Sequence, residues 1–153
     1  MKSLSYCLAF LGLLACGPVC AGEMPDLLPL SKTDLPQAGG CQFGREPGKP
    51  LLYWPQEEGL PALVRDARGL RKLRFFSAKH LPVRRDPPRV GDHQALMFSD
   101  ADWHVQAVGE VVRAHAQKAG KCGGVVWKNR LIVLWAGHDL KNIDGWGHCG
   151  CGG

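Results

Sequence analysis

Beyond residue 40 the chain is a succession of short apolar runs punctuated by Gly and Pro, most of them alternating as strand faces do. Residues 51–54 form an apolar, aromatic run between Pro50 and Pro55. Residues 62–65 and 70–76 flank Asp66-Ala67-Arg68-Gly69, which predicts a hairpin whose Gly69 is free to take a positive φ. A helix over 60–74 competes, because Leu60, Leu63, Val64, Ala67 and Leu70 fall on one helical face. Gly69 and the Phe75-Phe76 ending weigh against it. Residues 77–92 carry Pro82, Pro87 and Pro88 and are expected to form a loop. The apolar stretch 94–98 ends at the turn-like cluster Ser99-Asp100-Ala101-Asp102.

Trp103, Val105, Ala107, Gly109 and Val111 then alternate, which predicts a strand with one buried face over 103–112. A helix near 103–119 is the competing reading, with Ser99 and Asp102 as a capping box and Gly120 as its stop. Residues 125–128 and 131–136, joined at Asn129-Arg130, predict a second hairpin. The fold class expected is mainly β: a small antiparallel sandwich or barrel-like domain, stapled by disulfides.

Residues 1–21 have the three parts of an export signal. Lys2 supplies the positive start, residues 6–16 an eleven-residue apolar run, and Val19 and Ala21 the small residues before a cut at Gly22. The run is too short to cross a bilayer, which takes roughly 20 apolar residues, and no later stretch approaches its length. No transmembrane helix is therefore expected once the signal is removed. Leu13-Leu14-Ala15-Cys16 also fits a lipobox, in which Cys16 is lipid-modified and becomes the N-terminus. Either route places the protein in the periplasm, outside the cell or on an envelope anchor. Residues 22–40, with Pro25, Pro29 and Pro36, are expected to be a flexible segment ahead of a single domain at 41–153.

Behind the signal the cysteine count is even: Cys41, Cys122, Cys149 and Cys151. In an exported chain such a set predicts a disulfide framework. Cys149 and Cys151 are too close to bridge each other, so each should reach back, one to Cys41 and one to Cys122; sequence leaves both pairings open. The sharper alternative is a copper or zinc site on Cys149, Cys151 and His148, with Cys122 and His138 in reserve. Oxidation competes for the same thiolates. Gly40-Cys41, the Asp66-to-Gly69 hairpin turn and the terminal Gly147-His148-Cys149-Gly150-Cys151 together resemble small exported bacterial proteins of unknown function. That resemblance implies a β-rich, disulfide-bonded domain and no activity.

Charge is blocked along the chain. Residues 22–64 hold three basic side chains against six acids, and residues 92–153 hold six of each. Residues 65–89 hold nine basics against Asp66 and Asp86, a net of +7 within a chain total of +5. Arg65, Arg68, Arg71, Lys72, Arg74, Arg84, Arg85 and Arg89 therefore mark a candidate surface for an acidic protein or an anionic envelope surface. Nucleic acid is excluded as the expected partner, since neither a reading helix nor a stacking pattern accompanies the charge. No motif for a nucleotide, metal-hydrolase or other cofactor chemistry occurs, and no Gly-x-Ser-x-Gly elbow. Ser99-Asp100 with His93 or His104 is the one candidate triad; Asp139 and Asp144 are the one candidate carboxylate pair. Capping and solvation explain both more simply. The expectation is a non-enzymatic exported binder.

Overall fold

Strand periodicity decides the architecture. In the computed structural model, which describes residues 23–36, 39–57, 59–81, 88–115, 124–137 and 139–150, eight strands follow one another as an antiparallel meander. They are β1 (Gly40–Gly44), β2 (Leu52–Trp54), β3 (Ala62–Asp66), β4 (Gly69–Leu81), β5 (His93–Ser99), β6 (Trp103–His115), β7 (Gly124–Trp135) and β8 (Asp139–Gly150). Each pairs with the next, and β8 returns to β1, so the sheet closes into a barrel with no free edge. Side chains alternate inward and outward along most of the sheet, apart from bulges in β4 and β6. Phe43, Leu52, Val64, Leu73, Leu96, Val105, Leu131 and Val133 fill the interior, whereas Lys72, Arg74, Glu110, Lys128 and Asp144 lie on the outside. An apolar interior with a charged exterior is the reverse of the lipid-facing band of a membrane-spanning barrel. Among the described residues no helix is long and apolar enough to cross a membrane.

The hairpin predicted around Asp66 forms in register, with Asp66 opposite Gly69. Gly69 takes φ 124° and the Arg68 N–H donates to Asp66 Oδ1 at 2.7 Å. Residues 103–112 are strand, as the alternation predicts, and β6 runs on to His115 without becoming helical. A bulge between Val111 and Arg113 keeps it paired while exchanging the inward and outward faces of its last residues.

Three expectations are corrected. Residues 77–81 belong to β4: a bulge between Phe75 and Ser77 absorbs one residue, and the strand continues against β5 as far as Leu81 opposite His93. There is no turn at Asn129-Arg130. Asn129 is a buried, inward-facing position in the middle of β7, opposite Gly109. A Cβ on Gly109 would lie 3.3 Å from Asn129 Oδ1 and 2.7 Å from the Lys128 carbonyl, so the glycine makes the room that the asparagine occupies. The true β7–β8 reversal contains Ala136 and Gly137, with φ of 50° and 76°. Residues 23–36, finally, pack on the barrel rather than forming a spacer. Leu30 is buried, and Leu28 bridges to Arg65.

Candidate functional site

The two ends of the barrel differ. At one end lie the tips of the β3–β4, β5–β6 and β7–β8 hairpins, together with residues 45–51. Residues 23–36 cross this end. The Leu28 N–H donates to the Arg65 carbonyl at 2.8 Å, and the Leu30 N–H donates to the Pro50 carbonyl at 2.8 Å. Met24 and Leu27 pack against the core. Two ion pairs pin the segment: Asp26 to Lys141, and Asp34 to Arg65, whose Nε donates to Oδ2 at 3.0 Å. The hydrogen bonds from Arg65 and Ser31 hold the Asp34 carboxyl well below the usual carboxylate range. Inside this end Asp66, 2% exposed, is satisfied by the Arg68 N–H and by Arg71 Nε at 3.3 Å.

The opposite end opens into a cavity of about 330 Å³. Its walls are Trp54 from β2, Phe75 from β4, Leu96 from β5, Val111 from β6, Val125 and Trp127 from β7, and Cys149 from β8. Gln56, Ala78, Pro88, Asp92, His93 and Gln94 also line it. Trp54 stacks on Phe75 with ring centroids 4.7 Å apart, and Phe98 closes edge-on against Trp54 at 5.6 Å. Phe43 and Trp127 form a second, near-parallel pair at 5.7 Å. That pair exists because position 147 is glycine. A Cβ there would come within 2.7 Å of Phe43 Cδ1 and 3.0 Å of Trp127 Cε3.

Polar groups in this lumen are few. Gln94 also borders a narrow void of about 10 Å³ shared with Asn129. The Trp127 indole N–H is buried and has no hydrogen-bond partner among the described residues. At the rim the Asp92 carboxylate accepts from the Arg89 N–H at 2.8 Å, and Gly91 and Asp92 are tied to Val111 by two backbone bonds. Gln56 lines the rim at φ 61°, a conformation that non-glycine residues seldom adopt and that recurs at ligand clamps.

The residues singled out by sequence do not converge on one site. Cys41 and Cys149 are disulfide-bonded, directly opposite in the β1–β8 ladder. Cys16, Cys122, His138 and Cys151 lie outside the described residues, as do Arg84, Arg85 and residues 1–21, where an export signal is expected. The metal alternative loses Cys149 to the disulfide. His148, the next residue back, is exposed on the outer face while Cys149 faces inward. No group of three or more His, Cys, Asp or Glu suited to a metal occurs among the described residues.

The basic block is dispersed over the barrel. Arg65 and Arg71 are committed to Asp34 and Asp66, and Arg68 sits in the β3–β4 turn. Arg89 stands at the rim. Lys72 and Arg74 are exposed on the outer face of β4, without an ion pair among the described residues.

The triad does not assemble. Ser99 faces His104 across β5–β6, but Asp100 Oδ1 accepts from the Asp102 and Trp103 N–H groups at 2.8 and 2.7 Å, and His93 lies at the far end of β5. Asp144 is exposed and paired with Arg130 at 2.6 Å, and Asp139 is exposed at the start of β8.

Sequence reasoning puts Trp103 on a buried strand face but misses the lumen. Its walls come from six strands, and only the inward parity of Trp54, Phe75 and Trp127 within their runs hints at a shared interior. No protein-family model, curated protein or solved structure matches the chain, so fold and site stand on the geometry of the barrel itself.

Proposed function

We propose that the protein binds one small, mainly apolar molecule in the lumen of its barrel, outside the cytoplasm, and acts as a carrier or sequestering protein rather than a catalyst. The observation that carries this reading is the aromatic-walled cavity, open at one end of a barrel whose other end is crossed by residues 23–36. Eight-stranded barrels are just wide enough to hold one small ligand, and about 330 Å³ falls at the small end of the range for such sites. The export signal and the disulfide support the compartment.

A fluorescence titration with 1-N-phenylnaphthylamine, an uncharged apolar probe, tests it. The expected result is saturable binding of one probe per chain, lost when Ala78→Trp fills the mouth. Absence of saturable binding, or binding untouched by Ala78→Trp, retires the reading.

The outer face of β4 favours a second, independent role. Lys72 and Arg74 stand between the exposed side chains of Leu70 and Phe76, the latter 74% exposed. Unpaired cations flanked by apolar tips suit an anionic envelope surface, and these two are the described part of the basic block best placed for it. Co-sedimentation with anionic vesicles, absent with zwitterionic ones and lost on Lys72→Glu with Arg74→Glu, is the expected outcome; indifference to both changes excludes it.

A further inference from the structure

We propose that the outside of the barrel takes up one acyl chain of an anionic phospholipid bilayer, in a groove between Phe76 on β4 and Leu140 on β8; this rests on the reading of β4 as a face for an anionic envelope surface. The groove, of about 380 Å³, is separate from the lumen. Met97, Gln106, Ile132 and Leu134 line it and alternate with the buried Leu96, Val105, Leu131 and Val133, so they belong to the outer side of β5, β6 and β7.

The two ends of the groove are its most exposed parts. Phe76 is 74% exposed and Leu140 61% exposed. Phe76 stands out because it is the extra residue of the β4 bulge. Phe75 pairs with Phe98 and Ser77 with Met97, which leaves Phe76 without a rung and exposed on the outside. Between the two ends Met97, Ile132 and Leu134 are only half-buried. Apolar surface that continues across five neighbouring strands marks a contact with something apolar.

Charge selects the occupant. The strand registers place Arg74, Ser99, His104, Leu134 and Leu140 in one row. That row is cationic and polar at its β4 side and apolar at β7 and β8, and Lys72 lies two residues further along the same face of β4. The order matches an anionic headgroup followed by its chain. Arg74 supplies a cation for the phosphate, Ser99 and His104 line the groove as polar groups, and Met97, Ile132 and Leu134 form an apolar floor for the chain. Asp102 and Asp139 are exposed at the β5–β6 tip and the start of β8, which keeps the headgroup on the β4 side. A lipid on Cys16 would be tethered beside the same face. Asp26 is ion-paired with Lys141, the neighbour of Leu140, and Cys16 precedes it by ten residues, about 36 Å at full stretch.

Co-sedimentation of the mature, unlipidated chain with phosphatidylglycerol-containing vesicles is the first arm of the test. Leu140→Asn changes no charge and should weaken partitioning about tenfold, the worth of withdrawing one largely exposed leucine from water. Unchanged partitioning of Leu140→Asn, with Lys72→Glu and Arg74→Glu still abolishing it, removes the groove and leaves the charged face standing. Partitioning that survives the charge reversal, or none in the unmodified chain, removes both.

The second arm needs no variant to fold. With methyl-labelled methionine the mature chain reports through Met97 in the groove and Met24, which packs against the core. On phosphatidylglycerol nanodiscs carrying a lipid with a mid-chain nitroxide, the Met97 methyl resonance should broaden well before that of Met24. Equal broadening of the two, or none at Met97, overturns the groove whatever the sedimentation shows.

Discussion

Cys41 and Cys149 face each other across the closing seam of the barrel, with Cα atoms 4.0 Å apart at a sequence separation of 108. The bond therefore joins the first strand to the last at the rung where β1 meets β8. Linking such distant positions restricts the unfolded chain strongly, and a disulfide of this span is worth about 2–5 kcal/mol. Replacing both cysteines by alanine should lower the urea-unfolding free energy by that amount without changing the strand content seen by circular dichroism. A loss below about 1 kcal/mol would mean that the seam holds without its staple.

That bond also narrows the two pairings the sequence leaves open. With Cys41 joined to Cys149, Cys122 and Cys151 are the remaining complement. In sequence Cys122 stands two positions before Gly124 and Cys151 one after Gly150, and those two glycines pair across β7–β8. Intact mass of the exported protein should be four hydrogens below its reduced form, and a digest should yield a peptide pair linked through Cys122 and Cys151. The same spectrum reads the N-terminus, Gly22 after simple cleavage or a lipid-bearing Cys16. Free thiols at Cys122 and Cys151 would refute the second bridge.

Gly147 lies against the aromatic pair of the lumen. A methyl group there meets Phe43 and Trp127 together, and neither ring can retreat without breaking their stack. Gly147→Ala should destabilise by about 1–3 kcal/mol through overpacking and should also perturb the cavity wall. Pairing it with Phe43→Leu, which frees space on the same spot, should recover part of the loss. Full additivity of the two changes would show that the glycine is needed for another reason.

How much of this is legible in the chain depends on the range over which each signal acts. The alternation Trp103, Val105, Ala107, Gly109, Val111 reports a half-buried strand directly, and those residues do share the inner face. Asp66 to Gly69 is legible because turn chemistry is local. Asn129-Arg130 misleads because a polar side chain inside a barrel and one at a turn look alike until the glycine opposite is known; Gly109 is twenty residues away. The extension of β4 past Phe76 is hidden by its bulge, which breaks the period on which recognition depends. Residues 23–36 look like a spacer because Pro is frequent, yet Met24 and Leu27 pack against the core and Leu30 is buried, in places that only a closed barrel creates. The lumen is the least legible feature, since a cavity is the absence of side chains from a space that distant strands enclose.

The strap across the closed end carries the fold's clearest pH dependence. Asp34 bonds to Arg65 and to Ser31, and Asp26 bonds to Lys141; each carboxyl is held below its usual value of 3.8, chiefly by its hydrogen bond to the basic partner. A depressed folded-state value means that the attachment is complete above that figure and is lost as pH falls through the lower, folded value. Arg65 stays charged throughout, its guanidinium raised further by the hydrogen bond to Asp34. Protection of the Leu28 and Leu30 amides, which donate to Arg65 and Pro50, reads the attachment locally. Corrected for intrinsic exchange, it should be flat from neutral pH to about pH 5 and fall steeply below about pH 3.5. Asp34→Asn should lower protection at neutral pH and flatten the acid dependence, leaving the smaller share due to Asp26. Protection that stays level into strong acid in the unmodified protein would show that Leu30 burial alone, rather than the ion pairs, keeps this end of the barrel closed.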